Sequence, residues 1–294
     1  MIHAMSSQRI GPIVRGRSAT CSLVLAAGVV SVFGCTSRQA DDATRELPVL
    51  RIEARDLAFT VPTEVPAGLT RIRLVNHGAA WHEALMTRLP DGVTADAYLA
   101  GARAGDTFPT GAIDFGGPGL IASMDSSEVV VDLEPGRYAV VCWSESHVKS
   151  GMIAPMVITV ADRGAPAEAP AATGEVRLEE FRFVHDSVVF RQGSNVLHVR
   201  NTGQRPHDMT VYKLEPGRTG SEVREWFTTR TGTPPVRPVG GMTTLAPGHD
   251  GWVVLTLSAG TYLVTCGTPE TTAEGVQIHA RMGMLEVFEL GSSR

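Results

Sequence analysis

Apolar and polar residues alternate along several short stretches of this 294-residue chain. Three clear examples are Arg71–Val75, Glu128–Leu133 and Trp252–Leu257. Gly, Pro and Asn residues mark the boundaries of these stretches. A period of two residues is typical of half-buried β-strands. Two further stretches, "TADAYLAGARAG" and "SEVREWFTTRTG", start with a capping Thr or Ser and predict one short helix in each half. Strands about ten residues apart with one helical excursion predict an all-β fold of Greek-key sandwiches.

The chain also repeats itself. The stretch "GLTRIRLVNHGAAWHEALMTRL" from Gly68 matches "GSNVLHVRNTGQRPHDMTVYKL" from Gly193, 125 positions later. A second pair, "GGPGLIASMDSSEVVVDLEPGRYAVVC" and "GGMTTLAPGHDGWVVLTLSAGTYLVTC", matches without a gap at a separation of 124 positions. Self-similarity over such a length indicates a tandem duplication of one domain. We therefore predict one domain over residues 48–161 (half one) and another over 175–290 (half two), joined by an Ala/Pro/Gly-rich linker over 162–174.

The first 35 residues have a different character. Arginines precede an apolar run, Ser18–Gly34, which predicts an export signal. The ending "VFGC" resembles the lipobox of bacterial lipoproteins, which implies lipidation of Cys35 and a location in the cell envelope. Simple secretion and a retained membrane anchor are the alternatives. The net charge of −5 and the pI of about 6.0 provide no basic field for nucleic acid, so we expect no such partner.

Two cysteines, Cys142 and Cys266, then remain in the folded part of the chain. A disulfide would suit an exported protein. The two cysteines occupy matched positions of separate domains, however, so we expect no bond between them. A buried thiol in an oxidising compartment needs another form of protection, and a bound metal ion would supply it.

Each cysteine belongs to a recurring set of metal-binding residue types. Four residues separate Cys142 from the next histidine and twelve separate Cys266 from its own; a methionine follows each histidine after four more residues, and another histidine lies upstream. Taken singly, such residues are more often structural, but the set occurs twice in the same order. Two histidines, a cysteine and a methionine are the ligands of blue-copper electron-transfer sites. The candidate ligands are His82, Cys142, His147 and Met152 in half one, and His207, Cys266, His279 and Met284 in half two. Met282 is the alternative to Met284, and the unmatched histidines, predicted to be structural or at the surface, are His77, His185, His198 and His249.

At these residues the sequence resembles the cupredoxins, the family of plastocyanin, pseudoazurin and azurin. The motifs are "N-x-G-x-x-x-H", present as "NHGAAWH" and "NTGQRPH", then "G-x-Y-x-x-x-C" and His-x4-Met. The resemblance covers nearly all of both halves and implies two cupredoxin-like sandwiches, each holding one type 1 copper ion. Two departures stand out. Glu83 follows the first histidine where the family often has Asn or Asp, with which Asp208 complies, and the twelve-residue loop of half two is long and contains Glu270 and Glu274.

From these residues we expect a copper-binding electron-transfer protein of the envelope. We expect it to bind a redox partner protein and to contact the membrane only through its lipid anchor. Copper oxidoreductases such as nitrite reductases add catalytic histidines. No His-x-His pair occurs among the nine histidines, and Val141 and Thr265 precede the two cysteines. We therefore expect no enzyme; copper scavenging or delivery is the main alternative. By resemblance His147 and His279 lie near the surface, and the longer loop predicts that His279 is the more covered.

Overall fold

The computed structural model describes residues 46–105, 111–161, 167–229 and 231–291. The predicted export signal and the lipidation site Cys35 lie outside these residues, as does part of the predicted linker, residues 162–166. No helix among the described residues is long and apolar enough to cross a membrane.

Both halves consist mainly of β-strands, with one short α-helix each, so the predicted fold class is confirmed. The elements of half one are β1 (Val49–Arg55), β2 (Ala58–Thr60), β3 (Glu64–Pro66), β4 (Gly68–Asn76), β5 (Leu85–Arg88), α1 (Ala95–Ala104), β6 (Ile113–Asp114), β7 (Ser126–Leu133), β8 (Gly136–Val141) and β9 (Ile153–Thr159). Those of half two are β10 (Gly174–Glu179), β11 (Arg182–Val184), β12 (Gly193–Asn201), β13 (His207–Leu214), α2 (Gly220–Thr229), β14 (Val236–Leu245), β15 (Asp250–Leu257), β16 (Gly260–Thr265), β17 (Pro269–Thr272), β18 (Gly275–Ile278) and β19 (Leu285–Leu290). The three alternating stretches form most of β4, β7 and β15.

The two helices begin differently from one another. The side chain of Thr94 accepts a hydrogen bond from the Ala97 N–H, as the sequence predicts, and Gly105 ends α1 in a left-handed conformation. The cap of α2 is Thr219 and not the predicted Ser221. Thr219 accepts a bond from the Glu222 N–H at 3.3 Å while the Glu222 carboxylate accepts from the Thr219 N–H at 2.7 Å. This reciprocal pair is a capping box, whose Thr-x-x-Glu spacing is present in the sequence.

The strands form two layers. One layer is an eight-stranded sheet in the order β11-β10-β12-β15-β7-β4-β1-β2, and the other contains the sheets β3-β9-β8-β5-β6 and β14-β13-β16-β19. The first sheet therefore combines strands of both halves, because β15 pairs antiparallel with β7, with Val253 opposite Val129. Inward-facing apolar side chains of the strands form one core cluster that contains residues of both halves.

The second layer is also joined across the two halves. Three isolated bridges connect Phe115 to Leu245, Pro118 to Met242 and Ile121 to Val239. Because the repeat offset here is 124 residues, the first and third bridges are counterparts in which the two halves exchange roles, and the bridge of Pro118 to Met242 is its own counterpart. The pairing is therefore self-complementary, like the interface of a two-fold symmetric dimer. We call the β7–β15 pairing together with that of residues 115–121 and 239–245 the seam.

Matched glycines allow the backbones to approach each other beside the seam. A Cβ atom at Gly117 would lie 2.0 Å from the carbonyl oxygen of Ala84, and one at Gly241 would lie 1.9 Å from that of Met209. No real Cβ tolerates such a distance. The repeated "GG" of the sequence is thus a packing requirement at the strands that lead into the candidate metal sites.

Candidate metal centres

The predicted ligands of half one converge at one end of the sandwich. His82 bridges to Ile121 just before β5, Cys142 directly follows β8, and His147 lies in a 3-10 turn over Ser144–Ser150. The Cys142 Sγ atom lies 3.8 Å from His82 Nδ1 and 3.5 Å from His147 Nδ1. Cys142 and His82 are fully buried, and His147 is 8% exposed.

Backbone hydrogen bonds close this site. The Val148 N–H donates to the Cys142 carbonyl at 2.8 Å, the Met152 N–H donates to the His147 carbonyl at 3.0 Å, and the Cys142 N–H donates to the Met152 carbonyl at 3.3 Å. Gly151 makes the turn possible through a left-handed conformation, with φ of 103°. Met152 is therefore fixed beside the cysteine and the histidine, with its side chain fully buried.

Half two repeats the arrangement. His207 begins β13, Cys266 directly follows β16, and His279 opens a second 3-10 turn. Cys266 Sγ lies 3.9 Å from His207 Nδ1 and 3.4 Å from His279 Nδ1, and the two Nδ1 atoms are 3.0 Å apart. The Met284 N–H donates to the His279 carbonyl at 3.0 Å and the Cys266 N–H to the Met284 carbonyl at 3.1 Å. Met284 is fully buried and Met282 is partly exposed, so Met284 is the methionine that would complete the donor set.

The donor atoms fit a single ion in each half. Three donors bonded at about 2.0–2.3 Å and spread 120° apart are about 3.5–4 Å from one another. The thiol–imidazole distances of 3.4–3.9 Å agree with this value, whereas the two Nδ1 atoms of half two, 3.0 Å apart, are closer together. In each half the histidine and cysteine donor atoms all lie within 4.8 Å of one another, and all three residues are buried.

The protonation of these groups also suits a cation. Burial raises the pKa of both thiols, lowers the pKa of His82 and His279, and lowers that of His207 to about 4. His82, His207 and His279 are therefore neutral imidazoles, and each site contains a thiol that only a bound metal ion would deprotonate. Imidazole, thiolate and thioether together select copper and define the trigonal blue-copper geometry. These two clusters are type 1 copper sites, one in each half.

The expected departure at Glu83 has a structural counterpart. Asp208 accepts hydrogen bonds from the Thr268 hydroxyl at 2.8 Å and the Cys266 thiol at 3.4 Å, so it braces the loop after the cysteine. Glu83, one methylene longer, accepts from the Trp143 N–H at 3.2 Å and braces the corresponding loop of half one. Burial, with the nearby negative charge of Asp208, raises the pKa of Glu83 to about 7.

The loops that close the two sites differ in kind. Of the four residues between Cys142 and His147, Trp143 precedes the 3-10 turn and the other three belong to it, with Glu145 and Ser146 at φ values of 46° and 64°. The twelve residues between Cys266 and His279 include the antiparallel hairpin β17–β18, which pairs Pro269 with Ile278.

Further contacts hold this hairpin in place. Glu270 accepts from Arg205 at 2.9 Å, and the Phe181 ring meets His279 edge-on at 5.0 Å. His279 is fully buried, so the imidazole that the resemblance placed near the surface is covered in half two.

The unmatched histidines join neither donor group. Three of them place Nε2 near a carboxylate oxygen: His77 at 3.6 Å from Glu53, His185 at 3.0 Å from Glu286 and His198 at 2.6 Å from Asp250. The ring of His249 packs edge-on against Phe115. These contacts are structural, in agreement with the sequence analysis.

Two acidic residues near the sites escaped the sequence analysis. Asp56 and Glu180 lie in the turns β1–β2 and β10–β11, and each contacts the loop that precedes the first histidine of its site. Many residues separate them from that histidine, so no local motif includes them. The sequence indicates these acids only indirectly, through the glycine of the N-x-G-x-x-x-H motif.

Comparison with known proteins gives only distant likenesses. No family model and no curated protein matches the chain. Among solved structures, auracyanin B is 23% identical over 39% of this chain and 92% of its own, with a TM-score of 0.29. Auracyanin A, a "blue" copper protein from Chloroflexus aurantiacus, is 22% identical over 38% of this chain and 98% of its own, with a TM-score of 0.28. A Cu-containing nitrite reductase from Thermus scotoductus is 12% identical over 83% of this chain and 61% of its own, with a TM-score of 0.24. The chain's own strand order and donor atoms therefore carry the assignment of fold and sites.

Proposed function

We propose that this protein is an electron carrier of the cell envelope with one type 1 copper ion per half. The observation that carries the proposal is the burial of two complete His-Cys-His-Met sets, each fixed by backbone hydrogen bonds. A rigid, dry donor set that suits both oxidation states keeps reorganisation small when an electron is gained or lost. The bound copper would supply the one-electron couple.

Burial of the ligands favours this role over copper delivery. A delivery protein must let its ligands exchange with those of an acceptor, whereas here no histidine or cysteine ligand is more than 8% exposed. The ligands come from strand ends and tight turns rather than from a Met-rich or His-rich segment.

A redox protein of the envelope is the partner that this role requires. We place its docking surface at the short turn of half one, where His147 retains some exposure and the partly buried Trp143 adds apolar area. Transient redox complexes bury little surface, so a small patch is sufficient. Lipid attached to Cys35 would hold the carrier at the membrane where such partners work.

The visible spectrum and the redox titration of the chain lacking residues 1–35 test the carrier role. Two copper ions, an intense thiolate-to-Cu(II) charge-transfer band and two reversible one-electron couples are expected. A pale spectrum would overturn the proposal, and ready loss of Cu(I) to a chelator would assign the protein to copper delivery instead.

Lipid attachment is tested separately. Metabolic labelling of the full chain with a fatty-acid analogue should label the wild-type protein and leave Cys35→Ser unlabelled. Equal labelling of both, or of neither, would remove the lipid anchor from the proposal.

A further inference from the structure

In each half, a carboxylate from the turn after the first strand reaches the loop that precedes the first copper histidine. Asp56 Oδ1 accepts hydrogen bonds from the N–H groups of Ala79 at 2.9 Å and Ala80 at 3.4 Å. Glu180 accepts from the Gln204 N–H at the matched place in half two. The residues after these acids, Leu57 and Phe181, both have positive φ, so the two turns share one conformation.

The glycine of the N-x-G-x-x-x-H motif makes room for this approach. A Cβ atom at Gly78 would lie 2.5 Å from Asp56 Oδ1 and 3.0 Å from His82 Nε2. A Cβ atom at Gly203 would lie 2.7 Å from a Glu180 carboxylate oxygen. A larger residue at Gly78 would displace Asp56 from the neighbourhood of His82, and one at Gly203 would displace Glu180 from the loop that leads to His207. The glycine and the acid occur together in both halves and are therefore parts of one structural feature.

The outer nitrogens of the same histidines need such a neighbour. His82 Nε2 lies 3.8 Å from Asp56 Oδ1, and the Nε2 atoms of His82 and His207 are buried without a hydrogen-bond partner. Because Nδ1 of each ring faces the cysteine sulfur, a metal bound there requires the proton to sit on Nε2. A carboxylate beside that N–H favours the required tautomer and makes the imidazole a stronger donor.

We propose that Asp56 and Glu180 are positioning residues for His82 and His207. Each acid holds the histidine proton on Nε2, keeps Nδ1 free for the metal, and adds a negative charge that favours Cu(II) over Cu(I). Loss of either charge therefore raises the reduction potential of its own site. The tautomer effect does not depend on copper, whereas the potential effect rests on the proposed function.

The tautomer is tested first, in copper-free protein at neutral pH, by nitrogen-15 NMR of the histidine rings. Asp56→Asn keeps an oxygen for the Ala79 N–H but removes the charge. It should shift His82 away from the Nε2–H tautomer and leave His207 unchanged, and Glu180→Gln should do the reverse. If each ring keeps its tautomer in the variant that lacks its acid, the proposal is wrong, whatever the protein does with copper.

The reduction potential is tested second, one site at a time. In a Cys266→Ser background, which retains site one, Asp56→Asn should raise the potential and weaken Cu(II) affinity about tenfold. Asp91→Asn removes an exposed carboxylate elsewhere in half one and should change neither quantity. Gly78→Ala, which pushes the Asp56 carboxylate away, should shift the potential in the same direction as Asp56→Asn.

An unchanged or lowered potential in Asp56→Asn would overturn the electrostatic part of the proposal. If the protein forms no blue copper site at all, the carrier function fails, and the tautomer measurement alone decides the roles of Asp56 and Glu180.

Discussion

The two copper sites have the same donors and different covers. In both, strand ends supply the first histidine and the cysteine, and matched backbone hydrogen bonds fix the second histidine and the methionine. Half one closes its site with a seven-residue 3-10 turn, while half two inserts a hairpin clamped by the Arg205–Glu270 ion pair. Ligand geometry and access to the ligands are therefore separate properties of this fold. The strands determine the ligand geometry, and the length of the loop between the cysteine and the second histidine determines the access.

The largest expected effect is the loss of a whole site. Cys142→Ser should remove the thiolate-bound copper of half one and leave that of half two, and Cys266→Ser should do the converse. Metal analysis together with the charge-transfer band counts the sites. Two thiolate-bound coppers in either variant would contradict the assignment.

A second prediction asks whether the two halves depend on each other through the seam. Gly117→Ala and Gly241→Ala each drive a Cβ into a carbonyl oxygen, so each should lower the free energy of unfolding by more than about 3 kcal/mol. Because the core is shared, we expect both sites to lose copper at the same urea concentration. Gly68→Ala is the matched control, since Gly68 also has positive φ but nothing within 4 Å of its missing Cβ. Its cost should be about 1 kcal/mol. Separate loss of the two coppers would show that the halves unfold independently.

Half one contains a buried acid, Asp114, that has no counterpart in half two. Asp114 is buried with a hydrogen bond from the Thr87 hydroxyl at 2.7 Å, and burial raises its pKa to about 6 from the model-compound value of 3.8. The matched position of half two is Pro238. A carboxyl whose pKa is higher in the folded state stabilises the protein fully below the unfolded pKa, and this contribution is lost as the pH rises through the folded pKa.

Urea unfolding of copper-free protein at several pH values measures this contribution. Between pH 4 and 7, Asp114→Asn should remove a decline in stability of up to about 3 kcal/mol. The two proteins should be nearly equal in stability at pH 4, and the variant should be the more stable at pH 7. Parallel pH profiles would show that Asp114 ionises normally in the folded protein.

The smallest predicted effect concerns access. Copper in half one should exchange electrons with small reductants faster than copper in half two, as measured by stopped-flow bleaching of Cys266→Ser and Cys142→Ser. Equal rates would show that the loop does not control access.

Loosening the hairpin should narrow this difference. In the Cys142→Ser background, Arg205→Ala breaks the clamp and should speed exchange about threefold, consistent with an exposed ion pair worth under 1 kcal/mol. Arg218→Ala breaks the ion pair with Glu222 at α2 in the same half and should leave the rate unchanged. A slower Arg205→Ala variant would contradict the idea of a cover.

The sandwich and the donor set were predictable because their signals are local and occur twice. Alternating stretches such as Trp252–Leu257 give the strands, and His279 and Met284 repeat the spacing of half one. The seam was not predictable, since Phe115 and Ile121 resemble any buried strand residues and nothing local indicates which chain segment will pair with them. The hairpin β17–β18 was missed as well. Its sequence "PETTAEGVQI" is polar with little alternation, and it pairs where two fixed strand ends bring it together.

The seam also affects the risk that the chain aggregates while it is being synthesised. Without the other half, β7 and β15 would be open edges of their sheets, and their central residues, Val129–Val131 and Val253–Leu255, are uncharged and mostly β-branched. Such edges recruit strands from other molecules and start aggregation. Half one leaves the ribosome first and must wait with its edge unpaired until half two arrives. Half two therefore protects half one from aggregation, and each half produced without the other would expose an apolar edge strand.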